Sequence, residues 1–424
     1  MLLSGKVQRK KRPPGKNRPQ RRQQKRKRQK MQMKLKEKNK LYVQMMVFFF
    51  VLSSFISCKP GKNTPPVEKQ LYAWNQFSMG VDLSYVNNIE DHGGQYRENN
   101  LLKDPFQILQ EHGANTVRVR LWHHPSWVAA LNGGKYYNDL NDIEKTISRA
   151  KQLGMAVNLD LHYSDTWADP SHQDTPAAWA GLSLTDLKDS LYNYTISVLN
   201  DLKSKNLVPE MIQVGNESNN GICWPVGKVV GNNWDNFTEL LKSGIKAVRD
   251  FSQSSSIKPK IILHEAQFQT ANGWIQNLVA KGVTDFDILG LSHYSKWSVV
   301  KTMQGVTDSI KVLTTRYGKP VMIVETAYPW TANSADSYAN IFSASDIITG
   351  YDLSKDGQYR YMKDLAQAVI KAGGIGVQYW EPAWISSSMN DGWGTGSSWE
   401  NNAFFDFNGN VLPVADFMNF KYQF

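Results

Sequence analysis

Eight short apolar runs recur through the chain, and each gives way to a polar residue at or just past its end. They are "MGVDLS" (79–84), "NTVRVRL" (115–121), "MAVNLDLH" (155–162), "MIQVGNE" (211–217), "PKIILHE" (259–265), "FDILGLSH" (286–293), "PVMIVE" (320–325) and "IGVQYW" (375–380). Their length and near-continuous apolar character predict strands covered on both faces. Between them lie stretches with apolar residues three and four apart, such as "DIEKTISRAKQLG" (142–154) and "WDNFTELLKSGIKAVRDF" (234–251), which predict helices. Glycine punctuates several helix-to-strand junctions, as in "EHGAN", "QLGMA" and "KAGGIG", the usual C-terminal stop.

No Gly/Pro/Ser-rich break divides residues 71–424, so they are read as one catalytic domain. Eight strand–helix units in that length predict an α/β fold, a (β/α)8 TIM barrel. A doubly wound open sheet competes, but no glycine-rich phosphate fingerprint follows the first strand. In such a barrel the C-terminal strand ends form the working face. Here those ends carry Asp82, Arg118, Arg120, Asp160, His162, Asn216, Glu217, His264, Glu265, His293, Glu325 and Trp380. One polar strand end is ordinary; eight on one rim predict a site.

Two of these residues, Glu217 and Glu325, end the fourth and seventh runs and are expected to face each other across the mouth. A carboxylic acid and a carboxylate so placed can open an acetal, one donating to the leaving oxygen and the other attacking the anomeric carbon. A guanidinium beside Glu325, from Arg118 or Arg120, would keep it ionised. Asn216 is placed to hydrogen-bond a sugar hydroxyl. Glu265 and Glu381 are the rival carboxylates, read as a buttress and a partner to substrate or a neighbour. Of 14 tryptophans, Trp122, Trp167, Trp179, Trp224, Trp297, Trp330, Trp380, Trp384 and Trp393 fall after strands, where flat rings suit sugar faces. The histidines do not fit a metallohydrolase: "GVDLSY" lacks His-x-His and "HEAQF" lacks a second His. No cofactor is required for this chemistry; a structural calcium is compatible with the Asp and Asn between 387 and 402.

Charge alters the picture only at the N-terminus. The net charge is +11, yet residues 1–40 hold 18 of the 49 Lys and Arg and one of the 38 acids. The remaining 31 bases against 37 acids leave the main body mildly acidic, and no nucleic-acid partner is expected. Residues 1–40 read as a disordered basic leader or as sequence upstream of a start at Met31 or Met33. Residues 41–58, "LYVQMMVFFFVLSSFISC", have the layout of an export signal, too short for a membrane span. Its final "FISC" places Cys58 where a bacterial lipoprotein is cleaved and lipidated, which predicts export to a membrane-anchored cell-surface position, with secretion as the alternative. Residues 59–70 read as a polar tether. Cys223 is the only other cysteine, so no disulfide framework is available to the domain.

The stretches "GVDLSY", "NTVRVRLW", "DLHYSDTWADPSHQ", "IQVGNESNNGICWP", "LSHYSKW", "IVETAYPW", "GVQYWEPAW" and "GSSWENNAFFDF" together resemble the arabinogalactan endo-β-1,4-galactanases, glycoside hydrolase family 53. They run in order from about residue 77 to the C-terminus. The resemblance implies a retaining (β/α)8 barrel with Glu217 as acid/base and Glu325 as nucleophile. It implies supporting roles for Arg118, Asn216, His293, Tyr294 and Trp380. Asp82, Asp160, His162, Trp167 and Trp330 complete the expected substrate-binding set. The implied partner is β-1,4-galactan, met by a monomer; alternatives are another endo-β-glycanase and a non-catalytic glycan-binding barrel.

Overall fold

The computed structural model describes Glu68 and residues 70–424. The basic leader, the 41–58 segment with Cys58, and nearly all of the tether lie outside the described residues.

Eight parallel strands close on one another: β1 (Ser78–Asp82), β2 (Thr116–Leu121), β3 (Ala156–Leu161), β4 (Met211–Val214), β5 (Lys260–Glu265), β6 (Ile288–Tyr294), β7 (Val321–Ala327) and β8 (Gly376–Tyr379). Each pairs with its sequence neighbours, and β8 pairs back onto β1, with Ser78 beside Gly376. Every strand residue but Lys260 is buried, which is why the runs read as continuously apolar. The helices form the outer layer, and several are started by side-chain caps. Asp104 accepts from the amides of Phe106 and Gln107 ahead of Pro105, and Asp139 and Ser183 cap the helices Leu140–Gln152 and Leu184–Ser204. A two-stranded hairpin, Arg97–Glu98 with Leu101–Leu102, and several short helices in the loops add to this frame.

The barrel interior is layered. At its base Ala156, Met211, Ile262, Ile288, Met322 and Val324 cluster with Tyr72. Above them Asn158 Nδ2 donates to Gln213 and Gln378, both at 2.9 Å, tying three strands together. The charged residues of the rim stand above that amide layer.

Two local departures from regular geometry set the mouth. The fourth strand stops at Val214, three residues short of Glu217, because Gly215 turns the chain at φ +88°. Glu217 therefore stands in a turn, at φ +40°, rather than on a strand's last residue as expected. A left-handed backbone at a glutamate is costly and marks a held side chain. On β7 the pairing with β6 runs Ile323 to Leu291 and then Glu325 to Ser292, leaving Val324 unmatched. Strict alternation with the inward Met322 and Val324 would send Glu325 outward. The extra residue re-aims it into the barrel.

Candidate active site

Glu217, Glu325 and the hydroxyl of Ser292 meet at the mouth. Ser292 Oγ lies 2.6 Å from Glu217 Oε1 and 3.5 Å from Glu325 Oε2. Laid end to end, these contacts limit the facing carboxyl oxygens to a separation of about 6 Å. A pair that must admit a water between itself and the sugar needs roughly 6.5–9.5 Å, whereas direct attack needs about 5–5.5 Å. The observed geometry falls on the direct-attack side.

Arg118, not Arg120, is the guanidinium beside Glu325. Only 1% exposed, it reaches Asp82 (2.6 Å), Asp160 (2.8 Å) and Glu325 Oε1 (2.8 Å). Its remaining donors go to Gln213 and Asn216, each at 2.9 Å. Arg120 lies on the same inward face but pairs with Glu381 at 2.6 Å, between the rings of Tyr85 and Trp167. Glu381 is thus the partner of a neighbour; burial, working against Arg120, pushes its carboxyl up to about 8. Glu265 is a buttress: it binds Asn219, Thr270 and the amide of Gln267.

The protons sort between the two central carboxyls. Burial, and then the charge of Glu325, hold Glu217 well above the ordinary carboxylate range. Burial raises Glu325 as well, but the Arg118 guanidinium and the Tyr294 hydroxyl, 2.8 Å away, pull it back. The proton of the pair therefore resides on Glu217. Asp160 is held low, the cost of burial being outweighed by Arg118 and His162.

Of the expected binding residues, the structure brings Asp82, Arg118, Asp160, Asn216 and Tyr294 into this network. His162 joins through Nε2 to Asp160 at 3.0 Å, its Nδ1 accepting from Ala168 and Trp122. Trp167 and Trp380 stand 5.9 Å apart, Trp380 packs on Trp399 at 4.6 Å, and Trp399 stands 6.0 Å from Tyr294, so the aromatic row ends at the residue that donates to Glu325. The side chain of Asn216 is engaged by the protein at both ends, with Nδ2 on the Ala168 carbonyl. Two residues lie elsewhere. His293, between the inward Ser292 and Tyr294, points the other way onto Phe268 (5.4 Å), and burial pushes it down to about 4. Trp330 sits in the outer loops against Phe407 (4.9 Å), its indole N–H on the Glu400 carbonyl. Sequence reasoning missed Ser292, Gln213 and Tyr85. Alternation gave a signal for Ser292, which lies two residues from the inward Tyr294 on its strand, and none for Gln213, whose alternate neighbours are Met211 and Gly215. No group of three or more His, Cys, Asp or Glu placed to hold a metal occurs among the described residues.

A closed parallel barrel whose C-terminal mouth brings two glutamate carboxyls onto one serine hydroxyl, with tryptophans lining the same end, is the architecture of a barrel glycoside hydrolase. The chain belongs to glycosyl hydrolase family 53, whose model matches residues 78–418. It is 43% identical over 352 residues to an arabinogalactan endo-beta-1,4-galactanase of Cellvibrio japonicus, covering 82% of this chain and 92% of that one. An endo-beta-1,4-galactanase of Bacillus subtilis is 34% identical, with 80% and 84% covered. Among solved structures, the GH53 catalytic domain of Ignisphaera aggregans superposes with a TM-score of 0.75 at 36% identity, covering 84% of this chain and 100% of that one.

Proposed function

We propose that the protein is a retaining endo-β-1,4-galactanase, with Glu217 as acid/base and Glu325 as nucleophile. The observation that carries the mechanism is the approach of both carboxyls to Ser292 Oγ, too close for an interposed nucleophilic water. The substrate class rests on the galactanase relatives, matched over most of their length. In the first step Glu217 protonates the glycosidic oxygen while Glu325, steadied by Arg118 and Tyr294, attacks the anomeric carbon. In the second, ionised Glu217 takes a proton from the water that releases the sugar. Incubation with β-1,4-galactan should release oligosaccharides of mixed length whose new reducing ends are first β. Proton NMR of the first minutes checks this; α products would reject the double displacement, and inertness on galactan would reject the substrate.

The same proposal places the enzyme outside the cytoplasm, exported by the 41–58 segment and anchored through Cys58. What supports it is sequence layout: a basic flank, an apolar core and small residues before the cysteine. No helix among the described residues is long and apolar enough to cross a membrane. Cys58→Ser should move galactanase activity from the membrane fraction to the soluble fraction of the native host. Unchanged fractionation would reject the anchor.

A further inference from the structure

Ser292 Oγ also touches His264 Nε2, at 3.0 Å, in addition to its contacts with Glu217 and Glu325. A hydroxyl has one proton to give, so these contacts are not all donations. The direction of each follows from a group whose donors are fixed. Arg118 only donates, and its Nη2 meets Asn216 Oδ1 at 2.9 Å, while Asn216 Nδ2 donates to the Ala168 carbonyl at 2.7 Å. The Oδ1 of Asn216 is therefore an acceptor. His264 Nδ1 lies 2.9 Å from that oxygen, the shortest contact this nitrogen makes and the one that calls for a ring proton on Nδ1. Two N–H groups that can only donate face Nδ1 over longer distances, Gln213 Nε2 at 3.2 Å and the Glu217 amide at 3.3 Å, and pull towards the opposite tautomer, so nitrogen-15 shifts of the ring are the direct check.

His264 is fully buried, and burial, then the Arg118 charge, keep the ring neutral. With Nδ1 protonated, Nε2 is bare and accepts the hydroxyl proton of Ser292. Ser292 Oγ then faces Glu217 as an acceptor, and the 2.6 Å contact is filled by the O–H of a protonated Glu217.

We propose that His264, acting through Ser292, is a positioning residue that holds Glu217 in its acid form at the start of each catalytic cycle. The proposal rests on the reading of Glu217 as the acid/base. When Glu217 gives its proton to the leaving oxygen, the Ser292 hydroxyl turns to the new carboxylate and His264 Nε2 loses its partner. The ionised state thus lacks one buried hydrogen bond that the acid has. When Glu217 takes a proton from the incoming water, the bond from Ser292 to His264 re-forms. Other charged or titratable groups near Glu217 are Glu325 on β7, Arg118 on β2, Asp169 in the loop after β3 and Tyr294 on β6. All of them remain when His264 is changed.

The test is the alkaline limb of the kcat/KM–pH profile, which reports loss of the Glu217 proton. His264→Phe removes the bare nitrogen and should move that limb to lower pH by roughly 0.5–1 unit, the weight of one neutral hydrogen bond. A limb that stays in place or moves to higher pH overturns the proposal, the latter being the sign of a ring that donates to Ser292. Glu217→Ala, followed on an aryl galactobioside with a good leaving group, should have no such limb. A limb that survives there rejects Glu217 as acid/base instead. If His264→Phe does not fold, nitrogen-15 shifts of the wild-type imidazoles decide the matter. His264 should show a protonated Nδ1 and a bare Nε2, and the opposite tautomer overturns the proposal.

Discussion

Glu325→Ala is expected to lower galactan hydrolysis by roughly 10⁴–10⁶-fold, the scale of removing a catalytic nucleophile, while oligosaccharide binding survives. Glu325 is one of three carboxylates on Arg118, so the variant leaves a guanidinium that still has Asp82 and Asp160, and the mouth keeps its shape. The distinguishing measurement is stereochemical. Azide entering the space left by the carboxylate attacks the sugar in a single displacement and yields an α-glycosyl azide. Glu217→Ala should behave in the opposite way. Its loss on polymer should be about 10²–10⁴-fold, the usual share of a general acid, and should nearly vanish with an activated aryl leaving group. Azide there intercepts the glycosyl-enzyme from the other face and gives a β product. If both variants gave the same azide anomer, the two roles assigned here would be wrong.

Arg118→Ala should be both inactive and unstable, by about 3–5 kcal/mol, because removing one partner of a buried ion cluster strands the others. Asp82, Asp160 and Glu325 would then stand together without a cation, all of them buried. The effect should depend on pH in a definite direction. In the wild type Asp160 is held low, so its contribution to stability is present above the ordinary aspartate value and lost as pH falls through its depressed value. Without the guanidinium the buried carboxyls are raised instead, and the variant should lose stability as pH climbs from about 4 towards neutrality. Thermal denaturation across that range checks the sign; a variant that is uniformly weakened at every pH would show that Arg118 acts by packing alone. Arg118→Lys should recover little of the activity, since one ammonium does not reproduce a planar fork serving five partners.

The eight strands were legible because a sheet covered on both faces must be apolar along its whole length, and the described boundaries differ from the expected ones by at most three residues. The two glutamates were legible as exceptions to that pattern. What the expectations misjudged is equally specific. The family resemblance implied a supporting role for His293, yet the pleat turns its ring away from the mouth while Ser292 and Tyr294 turn inward. Trp330, expected as a binding platform from its place after β7, packs on Phe407 outside the carboxyl network, since a loop's position does not fix where its ring packs.

The amino-acid pattern by itself determined the barrel and its polar rim and singled out Glu217 and Glu325, which meet at Ser292, because periodicity and strand-end chemistry are local properties of the chain. Which arginine meets Glu325, which way Glu325 faces, and which carboxyl keeps the proton were decided only in three dimensions. Those outcomes depend on one unmatched residue in β7 and on side chains from β2, β5 and β6 converging within hydrogen-bond distance. No stretch of sequence encodes a contact between strands whose register a bulge has shifted.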